Sequence, residues 1–183
     1  MKIFLVACLA ALLTATAHAG TFVVDTNLRP GADFKEVQDA LDSPLVVDGD
    51  TLLIRPGPYF QIVTSKSVTL IGLGDAPSDV DFIKEFWLFS QFTNCTGTIR
   101  FSNVEFHNLY FENCSQAIYL EGVEVWNLSL NSSAYVRVGQ EGPGSFPAFR
   151  VDVSGGTHAE FYRCSFMGTN GFEGSPGGLA ARV

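Results

Sequence analysis

The sequence predicts an all-β fold in which short strands coil into a solenoid. Segments that begin at Asp79, Thr98 and Ala117 align with one another at a spacing of about 19 residues, a period typical of stacked repeat architectures. The chain also contains 16 Phe and 18 Gly but only 16% charged residues, which indicates a large buried surface built from β-type segments. Apolar and polar side chains alternate within each repeat, as expected of strands with one buried face.

Residues 1–19 predict a secretory signal peptide. Lys2 precedes an apolar run from Ile3 to Leu13, and Ala17-His18-Ala19 is a small-x-small cleavage site. A lipoprotein signal is the alternative, because Leu5-Val6-Ala7-Cys8 resembles a lipobox. The apolar run is too short to span a bilayer, so no membrane span is expected. We therefore expect an exported domain over residues 20–183, extracellular, or periplasmic or surface-bound in a bacterium.

Composition restricts the partners. The formal net charge is −8 and there is no basic cluster, so a nucleic-acid partner is not expected. A polyanionic ligand would need bound cations such as Ca²⁺. The three cysteines left after cleavage show neither a CxxC pair nor a zinc-like Cys/His spacing, so no metal-thiolate site is predicted.

The N-terminal part of the domain predicts a strand, a helix and further strands. Thr21–Val24 is the first strand. Asp33–Leu41 predicts an amphipathic helix that Asp33 and Glu36 begin as a capping box, and this helix would cover the open end of the first coil. Later strands are predicted at Thr51–Ile54, Gln61–Thr64 and Ser67–Ile71.

Three motifs in this region carry a family resemblance. DFKEVQDALDS from Asp33, GDTLLIRPGPYFQIV from Gly49 and SVTLIGLGDAP from Ser67 resemble the opening of pectin-lyase-like right-handed parallel β-helix proteins, pectinesterases especially. The resemblance implies a right-handed parallel β-helix with a short N-terminal capping α-helix. It also implies the activity of a polysaccharide lyase or carbohydrate esterase on acidic polysaccharide, with Ca²⁺ if the protein is lyase-like.

Each repeat divides into three short strands with alternating sides. The residues predicted to face inward in two successive coils are Ile99, Phe101, Val104, Phe106, Leu109 and Phe111, and then Ile118, Leu120, Val123, Val125, Leu128 and Leu130.

The outward column on the first strand of each coil is where the resemblance places catalytic groups. Here that column is predicted to contain Asp81, Arg100, Tyr119 and Arg137. An Arg beside a carboxylate can neutralise a uronate or, with a lowered pKa, abstract a proton. The alternative is a solvated face of alternating charge. One Asp is too few for a lyase-type Ca²⁺ site, so no metal ligands are assigned.

A second outward column predicts a carbohydrate-binding site. Glu105 is expected to stack on Glu124, and His107 on Trp126. An exposed aromatic ring next to carboxylates suits a sugar, because a pyranose face packs on an indole. Isolated surface aromatics are the ordinary alternative.

Two further columns lie at a turn. Cys95 aligns with Cys114, which fits either a ladder of small buried thiols or a disulfide. Asn94, Asn113, Asn127 and Asn131 all fall in N-x-S/T sequons, and they predict either glycosylation or a ladder of stacked amides.

Leu179–Val183 predicts the first strand of an incomplete last coil, with no polar capping element after it. We therefore expect an N-terminal fragment of a longer β-helix, or self-association at this open end. The functional expectation is an extracellular carbohydrate-binding or structural module acting on a polysaccharide or cell-surface glycan. The alternatives are a lyase or esterase, or the N-terminal part of such an enzyme.

Overall fold

Two parallel β-sheets wind into a β-solenoid of about four turns in the computed structural model. The structure describes residues 19–82, 88–131, 135–139, 146–154, 158–162, 164–166 and 173–174. Most of the expected signal segment and the expected last coil lie outside these residues. In the part of the chain that the structure covers, no helix has the length and hydropathy needed to cross a membrane.

Sixteen strands, one α-helix and one turn of 3₁₀ helix make up the described elements. In chain order the first strands are β1 (Thr21–Val24), β2 (Thr51–Ile54), β3 (Gly57–Pro58), β4 (Val63–Thr64), β5 (Thr69–Gly72), β6 (Val80–Phe82), β7 (Ser90–Thr93) and β8 (Ile99–Ser102). They are followed by β9 (Glu105–Glu112), β10 (Ala117–Glu121), β11 (Glu124–Asn131), β12 (Tyr135–Gly139), β13 (Phe146–Ser154), β14 (His158–Tyr162), β15 (Cys164–Phe166) and β16 (Glu173–Gly174). The helix α1 spans Val37–Asp42 and lies between β1 and β2.

The strands alternate between the two sheets as the chain coils. Sheet A has the order β1-β2-β5-β8-β10-β12-β14. Sheet B has the order β15-β13-β11-β9-β6-β3, with β7 also paired to β9, β4 to β7, and β16 to β13. Every described pair is parallel, and Ile118 lies opposite Ile99 as the repeat predicts. The expectation of a parallel β-solenoid is confirmed.

The core consists of apolar side chains stacked from one coil to the next. All twelve residues that the alternation placed inside the two central coils are fully buried. Phe82 stacks on Phe106 with ring centroids 4.5 Å apart, and Phe92 on Phe111 at 5.4 Å. Because each coil buries its apolar face only against its neighbours, these stacks stabilise the solenoid along its axis.

The N-terminal helix exists but is shorter than predicted. It begins at Val37 rather than at Asp33, and no side chain caps it. The Asp33 carboxylate instead accepts a hydrogen bond from the Val23 amide at 2.8 Å, which holds the segment before the helix against β1. Val37 and Leu41 are buried as the amphipathic pattern predicts.

A buried ion pair closes the first coil. Asp25 is fully buried, and its carboxylate receives Arg29 Nε at 2.6 Å and Arg55 Nη1 at 3.0 Å. The hydrogen bond from Arg29 holds the pKa of Asp25 well below its usual range, so this carboxylate is ionised. The pair joins the loop after β1 to the end of β2.

The first repeat does not lie where the alignment placed it. In sheet A the residue next to Arg100 is Thr69, whereas Asp81 lies on β6 in sheet B, opposite Glu105. A turn of 3₁₀ helix at Pro77–Asp79 separates β5 from β6 and carries the chain to the second sheet. The buried–half-buried–buried pattern of Val80–Phe82 is the same on either sheet, so alternation alone assigned the wrong one.

Candidate functional site

Three carboxylates form a row on the outer face of sheet B. Asp81 on β6 pairs in register with Glu105 on β9, and Glu105 pairs with Glu124 on β11. Neighbouring strands of a sheet lie about 4.8 Å apart, so like charges follow one another at that spacing. We call Asp81, Glu105 and Glu124 the acid row. Each of its side chains is partly covered rather than fully solvated.

Burial and the nearby charge of Glu105 disfavour the charged forms of Asp81 and Glu124. The pKa of Asp81 is raised to about 7, first by burial and then by the negative charge of Glu105. Burial, followed by the same charge, also raises the pKa of Glu124. Asp81 Oδ1 is buried and has no hydrogen-bond partner among the described residues. A carboxyl in this state exchanges its proton near neutral pH.

An aromatic pair lies beside the acid row. The Trp126 indole stacks on the His107 ring with centroids 4.2 Å apart and planes 23° apart, and Trp126 Nε1 donates to Glu105 Oε1 at 3.3 Å. Trp126 keeps 37% of its surface exposed, whereas His107 keeps 7%. Burial lowers the pKa of His107, so the imidazole is neutral at neutral pH.

The four residues predicted to bind carbohydrate therefore share one surface. Glu105, Glu124, His107 and Trp126 come together as the repeat predicts. His107 is covered in this stack, so Trp126 is the more exposed ring of the pair.

The predicted catalytic column is only partly assembled. Arg100, Tyr119 and Arg137 lie in register on neighbouring strands of sheet A, and Arg100 Cζ lies 4.2 Å from the centroid of the Tyr119 ring. Asp81 is not among them because it lies on sheet B. The column therefore holds two cations around a tyrosine, without the Asp81 carboxylate that was predicted beside them.

Three residues that the sequence did not connect extend this sheet A face. The Tyr135 hydroxyl donates to Glu160 Oε2 at 2.8 Å, and the Tyr135 ring stacks on His158 at 5.7 Å. His158 Nε2 lies 3.6 Å from Glu160 Oε1. The Tyr135 hydrogen bond is the main cause that lowers the pKa of Glu160. Arg137 pairs with Glu160 in register, a relation that the insertion before β13 hides in the sequence.

The cysteine column is a ladder of reduced thiols. Cys95 and Cys114 are both buried thiols, and no disulfide joins them in the structure. Their Sγ atoms donate to the main-chain carbonyls of Lys66 and Phe92. A hydrogen bond with Cys114 and burial both raise the pKa of the Cys95 thiol, so it stays protonated.

The asparagine columns form amide ladders. Asn127 Nδ2 donates to Asn108 Oδ1 at 2.7 Å, and Asn113 Nδ2 to Asn94 Oδ1 at 3.5 Å. These contacts confirm the ladder geometry and leave glycosylation as a prediction. Within the described ranges, no group of three or more His, Cys, Asp or Glu side chains could hold a metal ion.

Comparisons of the chain with protein-family models, with curated proteins and with solved structures give no match. The pectin-lyase-like resemblance therefore stays a prediction, and the outer faces of sheets A and B are the features that bear on function. Sheet B offers an exposed indole with fixed orientation among carboxylates, and sheet A offers cations and a hydrogen-bonded Tyr–Glu–His group.

Proposed function

We propose that this chain is an exported carbohydrate-binding module of the pectin-lyase-like β-helix type, and that it binds a glycan on the outer face of sheet B. One observation carries the proposal: the Trp126 indole is 37% exposed, and its stacking on His107 and its hydrogen bond to Glu105 fix its orientation. An indole held in this way loses little conformational freedom when a ligand stacks on it, so more of the contact energy contributes to affinity.

The chemistry around the indole suits a sugar. The apolar face of a pyranose packs against an aromatic ring, and its hydroxyl groups need hydrogen-bond acceptors at the edge of that ring. Glu105 and Glu124 supply carboxylate oxygens on the same face. Sheet B continues along the solenoid axis on both sides of Trp126, through β9 and β13.

Titration calorimetry with a panel of neutral, acidic and amino-sugar oligosaccharides tests the proposal. The Trp126→Ala variant should bind at least about tenfold more weakly, because stacked aromatic residues are frequent hot spots. Tyr119→Ala is the matched control, since it removes a partly exposed aromatic ring from sheet A. If the panel binds equally well to Trp126→Ala, the site is not on sheet B. If no oligosaccharide binds to the unmodified protein, the proposed function is wrong.

A lyase or esterase acting on acidic polysaccharide is the second candidate, and the sheet A face favours it. Tyr135, His158 and Glu160 form a hydrogen-bonded group in register with Arg137, which could neutralise a uronate carboxylate. Product release from pectate and from methylated pectin is the assay. Activity should be lost in Glu160→Gln and kept in Trp126→Ala; activity lost only in Trp126→Ala would place the chemistry on sheet B.

A further inference from the structure

Gly20, the first residue after the predicted cleavage site, is held by a buried carboxylate. Its main-chain nitrogen donates a hydrogen bond of 2.6 Å to Asp50 Oδ1, and its carbonyl oxygen accepts one of 2.9 Å from the Thr51 amide. The Asp50 residue is only 1% exposed. Both contacts lie where β1 and β2 begin, next to the in-register pair Thr21–Thr51. The Gly20 nitrogen is therefore fixed in position at the start of the first coil.

The hydrogen-bond donors that Asp50 receives from the described residues are neutral main-chain groups. Its second oxygen, Oδ2, accepts a hydrogen bond of 2.7 Å from the Val47 amide. The ion pairs between residues that the structure describes involve Asp25 and Glu160, not Asp50. Asp25 is buried to a similar degree and has two arginines as partners. Because a buried carboxylate is costly unless a cation offsets its charge, a positive charge beside Asp50 should stabilise the fold.

Cleavage of the signal peptide supplies such a charge at the Gly20 nitrogen. Before cleavage this atom is a peptide nitrogen with a single N–H. Hydrolysis breaks the Ala19–Gly20 peptide bond: water adds its hydroxyl to the Ala19 carbonyl carbon, which becomes a carboxylate, and the released amine takes up a proton at neutral pH. The product is an α-ammonium group with three N–H donors, and hydrogen bonds between ionised partners are about twice as strong as neutral ones.

We propose that processing between Ala19 and Gly20 creates a buried ion pair between the Gly20 α-ammonium and the Asp50 carboxylate. This ion pair holds β1, the terminal strand of sheet A, against β2. The precursor has the hydrogen bond without the charge, so the chain reaches its full stability only after the signal peptide has been removed. The inference is independent of the ligand proposed for sheet B, because Gly20 and Asp50 flank strands of sheet A.

Urea unfolding of two exported forms of the protein tests the proposal. The full chain is produced with its signal peptide in a secreting host, and mass spectrometry should show a mature chain that begins at Gly20. The second form has one serine inserted between Ala19 and Gly20, so its ammonium group moves by one residue, up to about 3.8 Å, and the Gly20 nitrogen is again a peptide nitrogen. We expect the folding equilibrium constant to be at least about tenfold larger for the form that begins at Gly20.

A double-mutant cycle tests whether the difference comes from Asp50. Asp50→Asn should lower the folding equilibrium constant at least about fivefold more in the form that begins at Gly20 than in the extended form. Asp48→Asn is the matched control, because Asp48 lies in the same turn and its Oδ1 accepts a 2.7 Å hydrogen bond from the Ser67 amide rather than from Gly20. This control variant should have the same effect in both forms.

Three results would each overturn the inference. The first is a mature chain that begins at a residue other than Gly20, as a lipoprotein signal would produce. The second is equal stability of the two exported forms, a comparison that keeps Asp50 in place and so holds even where Asp50→Asn does not fold. The third is an effect of Asp50→Asn that is the same in both forms, which would show that this carboxylate does not interact with the ammonium group.

Discussion

The raised pKa of Asp81 predicts that Asp81→Asn stabilises the protein at alkaline pH. Because the folded state binds the Asp81 proton more tightly than the unfolded state, ionisation of this carboxyl destabilises the fold. The destabilisation is absent below the unfolded pKa, grows between about pH 4 and pH 7, and is complete above pH 7. Asparagine mimics the protonated carboxyl and does not ionise, so the variant avoids this cost.

The magnitude follows from the size of the shift. The pKa rises from 3.8 to about 7, and each unit corresponds to about 1.4 kcal/mol, which gives an upper limit of about 4 kcal/mol. Asp81 is only partly buried, and its repulsion by Glu105 is screened by water, so we expect about 1–2 kcal/mol at alkaline pH. The variant and the unmodified protein should be equally stable near pH 4.

Urea unfolding of both proteins at about pH 4.5 and about pH 8 measures the difference. Taking the difference at each pH cancels the titration of groups that do not interact with Asp81. Glu105→Gln removes the charge that repels the Asp81 carboxylate, so in that background the benefit of Asp81→Asn should shrink. A stability gain that is the same at both pH values, or no gain at pH 8, would show that folding does not raise the pKa of Asp81.

Three further predictions concern the core. Gly72→Ala should cost about 2–4 kcal/mol in unfolding free energy, because its Cβ would overlap the Asn103 carbonyl oxygen; an unchanged urea midpoint would contradict this. Tyr59→Phe should cost about 1–3 kcal/mol, because the buried hydroxyl donates a 2.7 Å hydrogen bond to a main-chain carbonyl; an unchanged urea midpoint would contradict this. A thiol reagent should modify Cys95 and Cys114 only after unfolding, and rapid labelling of the native protein would show that they are not buried.

The central coils were predictable from the sequence because their signal is local and repeated. Alternation with a period of two distinguishes inward from outward residues, and the repeat then fixes which residues stack. Regular alternation and a constant repeat length are both present from Ile99 to Asn131, where two coils have the same length and the same corners. The pairing of Glu105 with Glu124, and of His107 with Trp126, follows from that register.

The wrong prediction concerned the sheet to which a strand belongs. Alternation shows which side of a strand is buried, but the sheet to which the strand belongs depends on where the chain turns a corner. Asn94, Asn103 and Asn113 adopt positive φ values of 58°, 54° and 53° at such corners, and Gly122 does so at 56°. These residues mark the ends of β7, β8, β9 and β10, a signal that asparagine spacing carries in the sequence.

The corner after β5 has a different construction, and that difference misplaced Asp81. Gly72 allows the Asn103 carbonyl to approach closely, and Asn103 Nδ2 donates to the carbonyls of Gly72 and Gly74. The chain then makes a 3₁₀ turn before β6 instead of a single left-handed residue. An alignment that assumes equal coils therefore moves Asp81 from the acid row to the Arg100 column.

The repeat stacks similar residues on one another in successive coils, which stabilises the buried face of the sheets and destabilises the exposed face. On the buried face, stacked phenylalanine rings remove apolar surface from water in each coil. The stacks Phe82–Phe106 and Phe92–Phe111 therefore stabilise the solenoid. Outside, the same register places Glu124 against Glu105, and burial together with the charge of Glu105 raises the pKa of Glu124 and disfavours its charged form. Alternating charges would remove this repulsion, as Glu160 beside Arg137 illustrates on sheet A. Fold stability therefore does not explain why the three residues of the acid row are carboxylates. Because the acid row lies beside the exposed Trp126, we assign ligand binding to sheet B.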